Sequence, residues 1–387
     1  MDVKKESLEM HEKFKGKIAV QSKVALKSLE DFSLAYTPGV AEPCREIEKD
    51  KSLAFKYTMK ANTIAVISNG TAVLGLGNIG AMASIPVMEG KAAIFKELAG
   101  VDAFPICIDS EDVDENVNII KKISCVFGGI NLEDYKAPEC FEIESRLQDL
   151  GIPVMHDDQH GTAIVILAGL INSLKLVGKK KEDVKVVFSG AGSAAIATIN
   201  LLKSYGFNSE NFFVCDSKGL IYSGREGLEN NVAKIKVANF TNPEKVSGSL
   251  VDVIKGADVF IGLSKKNLLT AEDVKLMNEK SIIFAMANPD PEILPDEAIK
   301  GGVFVMATGR SDFPNQVNNA LVFPGVFRGA LDVRATRITE KMKFAAADAL
   351  AGMVENLSET NIIPKIFDKN VPINIAKAVG DAWNEER

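Results

Sequence analysis

Cysteine is scarce and scattered. The five cysteines (Cys44, Cys107, Cys125, Cys140, Cys215) form no Cys-x-x-Cys pair and are odd in number. That excludes a disulfide framework or a zinc site built on thiols and predicts reduced thiols in a cytoplasmic protein. A basic excess is lacking too. The 45 lysines and arginines stand against 52 acids, a formal net charge of −7, so nonspecific binding to nucleic acid or to a membrane surface is not expected. The first 16 residues are mixed in charge and have no apolar core, unlike a signal peptide. Charge is missing altogether from Ala61 to Met88, but that stretch holds Gly70, Gly75, Gly77, Gly80, three asparagines and Pro86. A lipid-exposed span would carry more large apolar side chains, and buried strands meeting tight turns is the better reading. Internal repeats and low-complexity segments are absent as well. What is present is 387 residues, 46% hydrophobic and 25% charged, enough for a sizeable core in two or three domains.

The chain is organised around Met155-His156-Asp157-Asp158-Gln159-His160-Gly161-Thr162-Ala163. Ile152 to Met155 reads as a short apolar strand. Gly161 and Thr162 then open an apolar helical run, Ala163 to Val177. Two adjacent carboxylates at a strand end are costly unless something positive meets them, a divalent metal or a lysine. A second pair lies upstream. Gly128 to Leu132 reads as a strand ending in Glu133 and Asp134, and a helical pattern follows from Ala137 to Leu150, with Phe141, Ile143 and Leu147 on one face. In parallel α/β units such strand ends face one edge of the sheet, so four carboxylates gather there and repel without a cation. The donors are all oxygen, which suits Mg²⁺ or Mn²⁺ better than zinc. The acidic run Asp109, Glu111, Asp112, Asp114, Glu115, after a strand Ala103 to Ile108, lacks the sixth-position glycine and twelfth-position glutamate of a calcium loop. It reads as a solvated helix start.

Lys91 stands among Val87, Met88, Ala92, Ala93, Ile94 and Phe95. Burial lowers an amine's pKa and suits it to work as a base; the plain alternative is a lysine reaching from a helix face into solvent. Residues 1 to 30 read as short helices with a charged exterior. Tyr36 then precedes the rigid Thr37-Pro38-Gly39 turn. A phenol on a fixed backbone can donate a proton, and a core tyrosine packed on a turn is the alternative. Strand-like runs at Thr63 to Ser68 and Val73 to Leu76 lead into Gly75-Leu76-Gly77-Asn78-Ile79-Gly80, a GxGxxG. No strand ending in an acid follows at the spacing of a dinucleotide unit, so these glycines read as a tight turn near a substrate.

The better nucleotide signal comes later. Val184 to Ser189 reads as a buried strand, Gly190-Ala191-Gly192-Ser193-Ala194-Ala195 is GxGxxA, Ala195 to Tyr205 reads as a helix, and Asn211 to Cys215 is a strand ending at Asp216. Gly190 permits the turn, Gly192 lets a pyrophosphate approach the backbone, and the helix start with Ala191, Ser193 and Ala194 faces the phosphates. Asp216 stands 24 residues after Gly192, near the spacing of about 20 expected for the acid that holds a ribose hydroxyl. That favours NAD⁺, while Ser217 and Lys218 could receive the 2′-phosphate of NADP⁺. Three further short strands are expected at Ala257 to Gly262, Ile282 to Ala285 and Val303 to Ala307. Asn288 follows the second, and Asn318 and Asn319 follow the third. These amides can bond a carboxylate or a nicotinamide, or serve ordinary turns. From Ala320 the chain reads as mostly helical.

Together these pieces make a proton donor, a lysine base, a hard metal and a hydride acceptor. That combination suits oxidation of a 2-hydroxy acid followed by loss of CO₂ as an enolate, which an acid must reprotonate. At Tyr36-Thr37-Pro38-Gly39-Val40, Gly90-Lys91, Leu132-Glu133-Asp134, Asp157 to Ala163, Gly190-Ala191-Gly192, Asn288-Pro289 and Asn318-Asn319 the chain resembles the malic enzyme family in its compact prokaryote-type form. The resemblance implies oxidative decarboxylation of (S)-malate to pyruvate and CO₂ with NAD⁺ or NADP⁺ and Mg²⁺ or Mn²⁺. It assigns the metal to Glu133, Asp134 and Asp158, the base and a substrate contact to Lys91 with Asp157 orienting it, and enolate protonation to Tyr36. Asn288 and Asn318 or Asn319 would hold substrate and nicotinamide. The implied organisation is α/β with two domains. A malic domain (1–156) holds substrate and metal, a Rossmann-type parallel-sheet domain (157–319) holds the cofactor, and C-terminal helices (320–387) return to the first. A homodimer is implied, with Tyr36 near the second copy's site. One departure is Ala72, where larger members carry an arginine for the malate carboxylate, a contact that must come from elsewhere, such as the Ser68 to Thr71 turn. The rivals are a malolactic-type enzyme that releases lactate, a dehydrogenase of amino acids or methylenetetrahydrofolate, and a dinucleotide-sensing protein without catalysis.

Overall fold

The computed structural model describes residues 2–73, 75–229 and 231–387. Among the described residues, ten strands form two sheets: β1 (Thr63–Ser68), β2 (Asp102–Cys107), β3 (Gly129–Leu132) and β4 (Val154–His156), then β5 (Val186–Ser189), β6 (Phe212–Asp216), β7 (Gly219–Leu220), β8 (Val259–Gly262), β9 (Ile282–Ala285) and β10 (Val305–Thr308). The first sheet runs β2-β1-β3-β4 and is parallel; the second runs β10-β9-β8-β5-β6-β7, with β7 antiparallel and the rest parallel. This is the two-sheet α/β organisation the pattern called for. β1, β3, β5, β8 and β9 are buried at every position, as parallel strands covered on both faces must be.

The period of two sorts each strand between two cores. Ile64 and Val66 join one large apolar cluster that continues through Phe95, the helix Asp157–Val177, Val186, Phe188 and Phe284. Ala65 and Ile67 face the opposite way, with Ile130, Leu132 and Tyr135. Val187, Phe260, Ile283 and Ala285 form the outer core of the second sheet. The Asp157–Val177 helix is apolar and long enough to span a membrane by composition, but 72% of its most apolar window is buried inside the protein, so it is the core helix between the sheets. The C-terminal helices Phe323–Asp332 and Asn370–Glu385 pack on each other, and Phe323 and Phe327 set their rings edge-on to Phe95, at 4.7 and 5.6 Å between centroids.

Each sheet has a point where the chain, having added a strand on one side, returns to add on the other: between β1 and β3, and between β5 and β8. Loops diverge there and leave a crevice at the strands' carboxyl ends. Glu133 and Asp134 follow β3, Gly190 follows β5, and Leu263 and Ser264 follow β8. Topology alone therefore places the acids and the glycine loop at crevices.

Several local expectations are corrected. The helix expected from Ala163 begins at Asp157, so both acids lie in its first turn, where the positive end of the helix dipole favours them. The helix expected from Ala137 to Leu150 spans Glu139–Ser145; Pro138 disfavours helical backbone at Ala137. No strand forms at Val73 to Leu76. Val73 makes an isolated bridge with Gly77, and Leu74 lies outside the described residues. Gly75, Gly77 and Gly80 all take positive φ, which a strand does not allow. β1, the helix Gly80–Ala99 and β2 do form a parallel β-α-β unit, but the glycines begin seven residues after β1 ends and β2 ends in Cys107, not an acid. In the N-terminal stretch, only Val3–Phe14 and Leu29–Ala35 are helical before residue 36.

Candidate active site

β3 and β4 are neighbours in register, Leu132 opposite His156. The next residues on each, Glu133-Asp134 and Asp157-Asp158, therefore meet. Asp134 donates its backbone N–H to Asp158 Oδ2 at 2.9 Å and takes φ 55° to do so, a conformation costing a non-glycine residue about 1–3 kcal/mol. Glu133, Asp134 and Asp158 each offer a carboxylate oxygen within 4.8 Å of the others. Glu133 and Asp134 are buried, and Asp158 is partly exposed at the mouth. Asp134 Oδ2 and Asp157 Oδ1 are buried without a hydrogen-bond partner. A hard divalent cation with oxygen ligands fits this donor set and would satisfy the orphaned Asp134 oxygen.

Lys91 lies on the buried stripe of the Gly80–Ala99 helix with Ser84, Met88, Ala92 and Phe95. Its Nζ is 2.6 Å from Asp157 Oδ2 and 2.8 Å from Glu133 Oε1, and 4.2 Å from the Phe323 ring centroid. Asn319 Nδ2 donates to the same Asp157 oxygen at 2.7 Å. Electrostatics here correct the expectation for the lysine. Burial opposes the ammonium, but the charges of Asp157, Glu133 and Asp158 outweigh it and raise the amine above its usual range. The carboxyls move the same way. Burial, with the Asp158 and Glu133 charges, pushes Asp134 up to about 9. Burial also raises Glu133 and Asp158 against the pull of Lys91, and brings Asp157 up to about 6. Four crowded carboxylates sharing one ammonium remain short of positive charge.

The glycine loop stands at the second crevice. Gly190 takes φ 112°, and a Cβ there would come within 2.5 Å of the Leu263 carbonyl oxygen. Gly192 caps the helix Ser193–Ser204 without a side-chain bond and with open space above it, so the N–H groups of Ser193, Ala194 and Ala195 are free to meet an anion. Across the cleft, a Cβ on Gly75 would sit 3.2 Å from Pro289 Cδ, so the turn of the first sheet touches the Asn288-Pro289 loop of the second.

Known proteins share this plan. The family model of the malic enzyme N-terminal domain matches residues 15–148, and that of the malic enzyme NAD binding domain matches 159–383. The chain belongs to the malic enzyme family. A bifunctional malic/malolactic enzyme of Bacillus subtilis is 55% identical over the whole chain and 94% of its own length. An NAD-dependent malic enzyme of Geobacillus stearothermophilus is 55% identical over 95% of the chain and 76% of its own length. The crystal structure of a malic enzyme from Pyrococcus horikoshii superposes with a TM-score of 0.96 at 46% identity, covering 99% of this chain and 91% of that one. Longer relatives, of which the chain spans about half, include NADP-dependent malic enzymes. The chain thus carries the family's NAD(P)-binding domain, and the earlier GxGxxG falls in the other one.

Not every residue that resemblance to malic enzyme singled out joins the cluster. Tyr36 is 60% exposed, with its ring edge-on to Phe32 at 5.6 Å; among the described residues it bonds neither Lys91 nor the carboxylates. Asn318 uses its side-chain oxygen to cap the turn at Ala320 N, so of the two asparagines it is Asn319 that reaches the cluster. Asn288 lies half-buried beside Gly309. The Ser68 to Thr71 turn is tied into the protein: Asn69 donates to Ser110 O, and Thr71 Oγ1 accepts from Lys136 N. Asp216 does end β6, but its oxygens are already met by Arg225 at 2.6 and 2.9 Å and by Lys234 at 2.8 Å. Sequence reading missed Arg225 and Lys234, and nothing in their spacing marks them. It also missed Asn131, which donates to Glu133 Oε2 at 2.8 Å; strand alternation, which puts residues i and i+2 on one face, would have found it.

Proposed function

We propose that this chain oxidises (S)-malate to pyruvate and CO₂, reduces NAD⁺ or NADP⁺, and needs Mg²⁺ or Mn²⁺. The observation that carries the proposal is the Lys91 ammonium held by Asp157 and Glu133 beside an oxygen cluster with an orphaned ligand atom. Glu133, Asp134 and Asp158 would hold the cation. Bound there, it would polarise the oxygen on C2 and offset the charge that keeps Lys91 protonated. Once its own proton has left to solvent, the neutral Lys91 amine takes the hydroxyl proton, and Asp157 and Asn319 fix its orientation. Asn288 and Asn318 bind substrate and nicotinamide from the second sheet's loops. Gly190 to Ala194 hold the pyrophosphate on the helix start. In this reading the chain divides at 157 and 319, and the last helices complete the substrate half.

Tyr36 protonates the enolate from a second copy. What supports this is its exposure, together with exposed apolar side chains in the segment that leads to it: Val20, Val24, Leu26, Leu29 and Leu34. A monomer rarely leaves such a surface uncovered, and a homodimer would cover it. Mixing Tyr36→Phe with Lys91→Ala, each inactive alone, should restore part of the activity in heterodimers; no recovery after subunit exchange would refute action from the second copy, and an active Tyr36→Phe homodimer would place Tyr36 outside the mechanism.

Cofactor choice turns on Asp216. Arg225 and Lys234 occupy its oxygens and leave the locus with net positive charge, so a 2′-phosphate is tolerated there and NADP⁺ is used alongside NAD⁺. The deciding assay follows reduced-nicotinamide absorbance with (S)-malate, Mn²⁺ and either cofactor, then EDTA. Metal-dependent reduction with equal pyruvate supports the reading. The Bacillus subtilis relative favours a second reading, in which the same site retains the cofactor and releases lactate. Lactate without free reduced cofactor would establish it.

A further inference from the structure

The carboxylates assigned to the cation come from two parts of the chain. Glu133 and Asp134 follow β3, and Asp158 rides on the first turn of the Asp157–Val177 helix. Something must hold that turn in place, and the helix has no side-chain cap of its own at His156. A carboxylate from another helix takes the position. Glu144, on Glu139–Ser145, accepts the His156 backbone N–H on Oε1 at 2.9 Å. Its Oε2 lies 3.1 Å from His160 Nε2, and His160 Nδ1 lies 2.9 Å from Lys343 Nζ on the Glu340–Gly352 helix. A lysine amine with its charge can only donate, so Nδ1 is the acceptor and Nε2 carries the proton to Glu144. The chain of bonds is thus directional from Lys343 to Glu144 and ends on a helix N-terminus, where negative charge is favoured. It also crosses a seam: Glu144 belongs to the first matched domain, His160 and Lys343 to the second.

We propose that Glu144, through His160 and Lys343, is a positioning residue for the cation site. The three side chains lock the first turn of the Asp157–Val177 helix against the Glu139–Ser145 and Glu340–Gly352 helices and so set Asp158 against Glu133 and Asp134. This rests on the cation reading of Glu133, Asp134 and Asp158. Partners that bond metal ligands typically change metal affinity by about 10–100-fold; Glu144 acts one step further out, through His156 and the helix turn that carries Asp158, so the low end of that range is expected. A cap with a purely structural role would lower stability and leave that affinity alone.

The test is Glu144→Gln, which keeps the shape and one acceptor but turns an amide N–H₂ toward the His160 N–H. Mn²⁺ is titrated calorimetrically into metal-free protein, and NADPH binding is followed by fluorescence. Mn²⁺ should bind about tenfold or more weakly with NADPH affinity within about twofold. Lys343→Met should act in the same direction and less strongly, and the double variant should lose no more than Glu144→Gln alone, as one chain of bonds requires. Folded Glu144→Gln protein with unaltered Mn²⁺ affinity overturns the proposal, as does a double variant whose losses simply add. If Glu144→Gln does not fold, wild-type Mn²⁺ affinity in Lys343→Met overturns it. Absence of Mn²⁺ binding in the unaltered chain would instead overturn the cation site, and the positioning role with it.

Discussion

Lys91→Ala separates chemistry from structure. The side chain is 8% exposed and bonds two buried carboxylates at 2.6 and 2.8 Å. Removing it leaves Glu133, Asp134, Asp157 and Asp158 to repel without compensation. Breaking a buried ion pair by deleting one partner costs about 3–5 kcal/mol, and deleting a positioned base costs about 10²–10⁴-fold in rate. The stability loss must depend on pH. Asp157 and Asp134 already sit at about 6 and about 9, above the 3.8 of an ordinary aspartate, and lose their cation in the variant. Between those values the folded chain holds more protons than the unfolded one, so stability falls as pH rises, and more steeply in the variant. Urea unfolding in EDTA should show a larger deficit at pH 8.5 than at pH 5.5, while dinucleotide binding persists and turnover collapses. Equal deficits at both pH values would refute the electrostatic argument, and near-normal turnover would remove Lys91 from the mechanism.

Asp158→Ala should weaken Mn²⁺ binding by at least about tenfold, and an unchanged calorimetric titration would exclude it as a ligand. Gly190→Ala forces a side chain onto φ 112° and within 2.5 Å of the Leu263 carbonyl oxygen; a loss of about 1–3 kcal/mol and of dinucleotide affinity should show in thermal melts and fluorescence titration. Asp102 is held down to about 2, against burial that raises it, by Lys96, Lys23 and Asn62. Its contribution is therefore present above pH 3.8 and lost as pH falls through about 2. Asp102→Asn should cost up to about 1 kcal/mol at neutral pH, and the deficit should vanish in acid unfolding curves.

Both carboxylate pairs were legible as residues. Each lies just past a short apolar run, and a buried parallel strand cannot bury an acid, so the acids must fall at its end. Gly190 was legible for a similar reason: its tight strand-to-helix turn needs positive φ and no Cβ. Gly192 was legible by its spacing alone, since its φ is −86° and a Cβ there would meet nothing. Where the Asp157–Val177 helix begins was not, because Asp157 and Asp158 are poor helix formers in isolation and are accepted there by the helix dipole, Lys91 and the Glu144 cap. The Gly75 to Gly80 turn was separable from a dinucleotide loop by the strand after it, since β2 ends in Cys107 and offers no carboxylate to a ribose.

By itself the sequence determined the two-sheet α/β plan, the acids at the strand ends and the nucleotide loop, because these depend on periods of two and 3.6 and on backbone conformations that only certain residues adopt. Tertiary structure alone decided the charge state of Lys91, the engagement of Asp216 by Arg225 and Lys234, the choice of Asn319 over Asn318 at Asp157, and the isolation of Tyr36. Each depends on which charged or polar groups stand within a few ångströms of one another. Lys91 and Asp157, 66 residues apart, are brought to that distance by the Gly80–Ala99 helix packing on the first sheet, and Asn319 and Asp157, 162 apart, by the chain's return after the second.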